Sequence, residues 1–184
     1  MTETGADPDE AAVARIAAGD EAAFRDFVAL KLPRLHGFAS RMLGDAALAD
    51  DVAQEAFLRV WRQAGRWQPG RARFDTWLHR VVINLCTDRL RRRSRDAPET
   101  ELDGHPDPAP DPEAALLGGD RVAALRRAMD RLPPRQKQAL LLQVHAELPV
   151  ERVAEALGLG VEATESLLAR ARRSLRILLA EVSA

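Results

Sequence analysis

Arg80, Asn84, Thr87, Asp88 and Arg91 recur at intervals of three and four residues, which places them on one side of a helix. Asn and Arg are the side chains that pair bidentately with base edges, and the run Arg91, Arg92, Arg93 suits phosphate oxygens. A solvated helix face carries similar residues, so this stripe has two readings. Just upstream, WQPGRARFDTW interleaves Trp67, Phe74 and Trp77 with Arg71 and Arg73. Aromatic rings set among cations are the means by which proteins stack unpaired bases, although Phe74 and Trp77 could equally be core. Nothing comparable points to bond-making chemistry. His36, His79, His105 and His145 are scattered, no glycine-rich phosphate loop is present, and Cys86 falls on an apolar stripe. Asp75 and His79 stand one turn apart, a pairing common on solvated helices. No catalytic residue, cofactor or metal ligand is expected.

A second constellation lies near the C-terminus. VERVAEALGLGVEATESLLARARRSL has helix-turn-helix spacing: Val153 and Leu157 face inward and Ala154 permits close approach. Gly158 allows the turn, Leu159 is expected to plug it, and Thr164 and Leu168 anchor the second helix. Any two-helix hairpin can imitate this pattern.

These residues need a scaffold, and the periodicity describes one that is all helical. Apolar residues recur every three or four positions, with no alternating strand pattern. Phe24, Phe27, Val28, Leu35, Phe38 and Met42 form one stripe after an Asp20 cap, with Pro33 marking a kink or break. Val52, Ala56, Val60 and Trp61 form a second, and Phe74, Trp77, Leu78, Val81, Val82, Leu85 and Cys86 a third. Further on, Val122, Leu125, Met129 and Leu132 make a helix stopped by Pro133 and Pro134. Leu140 to Val144, Val150 to Leu157 and Val161 to about Leu179 supply three more.

The 184 residues divide into two small domains. Charge shows where. The net charge is only -1, yet residues 66–95 hold nine arginines against two acids, and residues 96–120 hold eight acids and no Lys or Arg. The acidic stretch also contains Pro98, Pro106, Pro108, Pro110 and Pro112 and is too polar to build a core. It reads as a linker at 96–119, between an N-terminal domain at 19–95 with all eight aromatics and a C-terminal domain at 120–184. Residues 1–18 are expected to form a disordered tail. Their acids replace the Lys or Arg of a secretory signal, and no run approaches the ~20 apolar residues that cross a bilayer. With a single cysteine, a soluble cytoplasmic protein is expected.

GDEAAF at 19–24, LGD at 43–45, DDVAQEAFLRVW at 50–61, FDTWLHRVVINLCTDRLRRR at 74–93 and LPPRQKQALLL at 132–142 add a resemblance. With the helix-turn-helix, they resemble the extracytoplasmic-function (ECF) group of bacterial RNA polymerase sigma factors. That resemblance implies binding to core polymerase, direction to specific promoters, strand opening and no bond chemistry. It implies that Asp51, Gln54, Glu55 and Arg59 dock on the coiled coil of the largest polymerase subunit. Trp67, Arg71, Arg73 and Phe74 would capture melted −10 bases, and Arg80, Asn84, Asp88, Arg91 and Arg92 would read the −10 element. Ser166, Arg170, Arg172 and Arg173 would meet the −35 duplex, and an anti-sigma partner is a further expectation.

The chain departs from the family pattern in its helix-turn-helix. Lys or Arg is frequent near Glu165 and Leu167, and a Ser or Thr cap near Pro149 and Gly160. Residues 146–165 carry five acids against Arg152, which opposes phosphate binding. Leu167 could be exposed or tucked into an interface. Two other readings stay open at this point: a helix-turn-helix regulator independent of polymerase, and a sigma-like interaction module without DNA binding. The linker allows the sigma-factor reading when it is extended, since a flexible chain of its length spans about 27 Å and about 80 Å when pulled straight. Elements two helical turns apart lie about 70 Å apart.

Overall fold

The computed structural model of the chain describes residues 7–68, 73–96 and 119–182. Among the described residues eight α-helices follow in order: α1 (Glu10–Ala17), α2 (Glu21–Leu43), α3 (Ala46–Gln63), α4 (Phe74–Asp96), α5 (Gly119–Asp130), α6 (Pro134–Val144), α7 (Val150–Leu157) and α8 (Val161–Val182). A 3-10 turn, Ala64–Arg66, extends α3, and the described residues contain no strand.

Helix starts follow local chemistry. Asp20 accepts the Ala23 N–H at 2.9 Å, and Asp45 accepts the Leu48 N–H at 3.0 Å, so orphan donors at the starts of α2 and α3 are satisfied. Pro134 opens α6, where its missing N–H costs nothing. Pro33, expected to mark a kink or break, does not break α2, which runs on through it. It sits on the exposed side above exposed Ala29, where water can take the freed carbonyl.

Helices α2, α3 and α4 pack around Phe38, Val52, Ala56, Val60, Phe74, Leu78 and Val82, each fully buried. In the other half α5, α6 and α7 pack on α8 around Leu142, Val153, Thr164, Leu168 and Ala171. Two residues assigned to apolar stripes are surface residues instead. Trp61 is 39% exposed and lies edge-on to Phe24 at 5.1 Å, because Val60 already fills the inward position. Leu125 is 43% exposed, and Ala128 takes the buried place in α5.

The disordered tail expected over 1–18 is corrected over its described part. Within residues 7–18, α1 forms and buries Val13 and Ile16 to 1% and 2% exposure. Two such side chains contribute roughly 3 to 6 kcal/mol, enough to hold two turns of helix on a surface. Asp7 Oδ2 also accepts the Phe74 N–H, which satisfies a donor at the start of α4. Lys31 of α2 bridges Asp9 at 2.7 Å and Asp75 at 2.9 Å. Burial alone would raise the Asp75 carboxyl, but hydrogen bonds and charge from His79 and Lys31 prevail and hold it well below the usual carboxylate range. Asp75 and His79 are thus one corner of a structural ion cluster, with His79 only 1% exposed.

Candidate nucleic-acid interface

Helix α4 has two faces of opposite character. Leu78, Val82, Leu85 and Cys86 are buried, while Asn84, Asp88, Arg91 and Arg92 are exposed and Arg93 is half-buried. The predicted polar stripe is therefore one surface. Two of its members are engaged by the C-terminal half: Arg80 donates to the Glu155 carbonyl, and Thr87 Oγ1 accepts from the Gln138 amide at 3.1 Å. Burial pushes the Cys86 thiol up to about 12, so it is a core group and not a reactive one.

The segment leading into α4 divides differently from expectation. Phe74 is fully buried, packed against Phe27 at 5.7 Å, Trp67 at 5.5 Å and Trp77 at 5.0 Å between ring centroids. Its assignment as a DNA-stacking ring is corrected: a ring enclosed by three others has no face left for a base. Trp67 is half-buried against it, with an indole N–H that meets no acceptor among the described residues. Arg73 is half-buried beside the start of α4, and Arg71 lies outside the described residues.

On α3, Asp51 and Gln54 are exposed, and Glu55 pairs with Arg59 at 3.0 Å, both half-buried. Asp51 also lies 4.0 Å from Arg89 of α4. The structure adds Leu58, 46% exposed in the middle of this polar face, with exposed Arg62 one turn on. Both follow Asp51 and Gln54 at helical spacing, and an unburied leucine among charges was the available signal.

In the C-terminal half, α7 and α8 join through Gly158, whose φ of 66° is a left-handed conformation that glycine adopts without strain. Val153, Ala154, Leu157, Thr164 and Leu168 are buried as expected. Leu159 does not plug the turn: it is 37% exposed, while its N–H closes the turn on the Ala154 carbonyl at 2.9 Å. Leu167 is 9% exposed, which resolves its position to the interior. Ser166, Arg170 and Arg173 form one exposed stripe of α8. Arg172 is turned toward α6, where it donates to Gln143 at 2.6 Å. Glu162 precedes Ser166 by one turn, and Glu165 is exposed beside it. Phosphate contacts supply most non-specific affinity and are screened by salt, so acids here oppose duplex binding. Glu165→Lys is expected to tighten promoter binding by the holoenzyme about 3- to 10-fold near 0.1 M salt and to steepen its salt dependence by about one phosphate contact. An unchanged salt titration would place Glu165 away from DNA.

Comparison with known proteins accounts for both halves. Residues 27–96 match Sigma-70 region 2, and residues 123–175 match Sigma-70 region 4. The chain is 31% identical to the RNA polymerase sigma-H factor of Pseudomonas aeruginosa over 91% of each chain. It belongs to the sigma-70 family, in the ECF group. CarQ of Myxococcus xanthus, an RNA polymerase sigma factor, is 32% identical over 89% of this chain and 93% of its own. The ECF sigma factor SigE of Mycolicibacterium smegmatis is 35% identical, and the match spans 91% of this chain but 66% of SigE. Among solved structures, CnrH in complex with the cytosolic domain of CnrY superposes with a TM-score of 0.71 at 26% identity, over 94% of this chain and 97% of CnrH. As an ECF sigma factor the protein directs core RNA polymerase to promoter DNA, which decides against a polymerase-independent regulator. No helix among the described residues is long and apolar enough to cross a membrane.

Proposed function

We propose that the exposed side of α4, with Trp67 and Arg73 at its entrance, holds the −10 element as separated strands. Asn84, Asp88 and Arg91 would meet bases, while Arg92 and Arg80 take phosphates. The observation that supports this is the exposed Asn84–Asp88–Arg91 stripe on a helix whose other side is buried, next to a half-buried tryptophan. Holding unpaired bases favours the melted state, so binding energy alone opens the duplex and no bond chemistry is involved. Asp51, Gln54, Glu55 and Arg59, together with Leu58, dock on polymerase. Ser166, Arg170 and Arg173 face the −35 duplex, with Arg172 at the margin. Residues 19–95 and 120–184 act as the two DNA-binding units, joined by the linker at 96–119, most of which lies outside the described residues. The protein works in the cytoplasm, where polymerase is. An anti-sigma partner fits as well, since relatives of this fold are solved with one bound, as in the RpoE–NepR complex of Bartonella quintana.

The test uses holoenzyme built with Asn84→Ala. A lost bidentate base contact is worth roughly 1 to 3 kcal/mol, so promoter-specific open complexes should fall about 5- to 100-fold while core binding and thermal unfolding stay unchanged. Run-off transcription equal to the parent at every holoenzyme concentration would remove α4 from the −10 assignment.

A further inference from the structure

Asp88 is out of place on a surface built for nucleic acid. Residues 66–95 hold nine arginines, and Asp88 stands among Arg89, Arg91, Arg92 and Arg93 on the part of α4 that carries the exposed stripe. An acid there repels phosphates and costs affinity for strands of any sequence. Arg91 and Arg92 follow it by three and four residues, the spacing at which helices close ion pairs, yet Asp88 enters no hydrogen bond or ion pair among the described residues. Asn84 and Arg91 are likewise unengaged among the described residues, whereas Arg80 and Thr87 of the same stripe meet Glu155 and Gln138. The exposed stripe therefore presents three different hydrogen-bonding groups: an amide, a carboxylate and a guanidinium. They rise along α4 by about 6 Å and then about 4.5 Å, the length of roughly three stacked nucleotides.

A carboxylate accepts hydrogen bonds and cannot donate, so it selects among bases by their donors. In a closed duplex the major-groove edge of guanine offers the acceptors O6 and N7, which a carboxylate repels, while its N–H donors are turned to the partner base and the minor groove. Once the strands part, guanine N1–H and N2–H2 lie side by side on the free Watson–Crick edge, and one carboxylate can accept from both. The other bases match it poorly. Unpaired cytosine and adenine each set a ring acceptor beside the amino group, and thymine sets its N–H between two carbonyls. We propose that Asp88 selects an unpaired guanine in the −10 element, through a contact that exists in the melted state alone. This rests on the assignment of α4 to the −10 element and adds to it a base and a stage of the reaction. A contact absent from the duplex and present in the open complex shifts the equilibrium toward opening by its full strength. Asp88 thus disfavours the closed form and holds the open one, a use that a solvated counter-charge lacks.

The test compares holoenzymes carrying the parent chain, Asp88→Ala or Asn84→Ala. Asp88 is exposed and unpaired among the described residues, so its truncation opens no cavity. Fluorescence anisotropy measures affinity for a promoter from which the parent initiates, made as a pre-opened bubble so that pairing energy does not enter. Each of the four bases is set in turn at every −10 position of either strand. At one position the parent should favour guanine about 10- to 100-fold, and Asp88→Ala should lose that preference. Inosine there, which lacks N2–H2, should cost the parent about 3- to 10-fold and Asp88→Ala nothing. On a duplex kept closed by low temperature the preference should vanish. If Asp88→Ala binds every bubble more tightly with the same ranking of bases, Asp88 is a counter-charge and the proposal falls. An Asp88-dependent preference for cytosine, or one that persists on the closed duplex, overturns it equally. In those cases Asn84→Ala still weakening the bubble keeps α4 as the reader. Affinities and rankings indifferent to both substitutions would remove the −10 assignment and the inference together.

Discussion

Phe74→Ala should lower the midpoint of thermal unfolding by on the order of 10 °C. The ring is fully buried and touches three other aromatics, so its removal opens a cavity at the junction of α2, α4 and the segment before α4. Large aromatic truncations in cores cost about 3 to 5 kcal/mol, and 1 kcal/mol moves the midpoint by roughly 2 to 4 °C in a chain of this size. The prediction also separates two roles for the ring. A base-stacking Phe74 would leave the melt unaltered and damage only promoter opening. A circular-dichroism melt within about 2 °C of the parent would return Phe74 to the DNA surface.

Leu58→Asp should weaken core polymerase binding about 30- to 100-fold, equivalent to roughly 2 to 3 kcal/mol. Leu58 is nearly half exposed, with Gln54 and Asp51 on the same side of α3, so the substitution opens no cavity in the free protein. An apolar side chain ringed by polar groups is the usual centre of an interface, where water is excluded on docking. Competition for core enzyme against the parent protein measures the effect, and thermal unfolding provides the control. Equal competition would move the polymerase contact off this part of α3.

Most of the helical framework could be read directly from the chain, because a 3.6-residue apolar period and Asp caps are local signals. The interior of the helix-turn-helix was legible for the same reason: Val153, Leu157, Thr164 and Leu168 occupy the positions their spacing implies. The errors arose where tertiary neighbours decide. Phe74 and Trp61 are both aromatic and both lie near arginines, yet one is enclosed and the other is on the surface. Which of them is core depends on the rings contributed by α2 and the segment before α4. Arg172 has the right type and spacing for a phosphate contact, but Gln143 on another helix claims it. Order in residues 7–17 depends on Phe74 and Lys31, partners far along the chain that no local pattern reveals.

Asp7 reaches across 67 positions to the first amide of α4, and Asp9 meets the cation that also holds Asp75. The amino end therefore acts as a clasp on the helix assigned to promoter reading. Trimming the leading residues, or fusing a bulky tag there, would be felt at the entrance to the DNA surface rather than at the terminus itself.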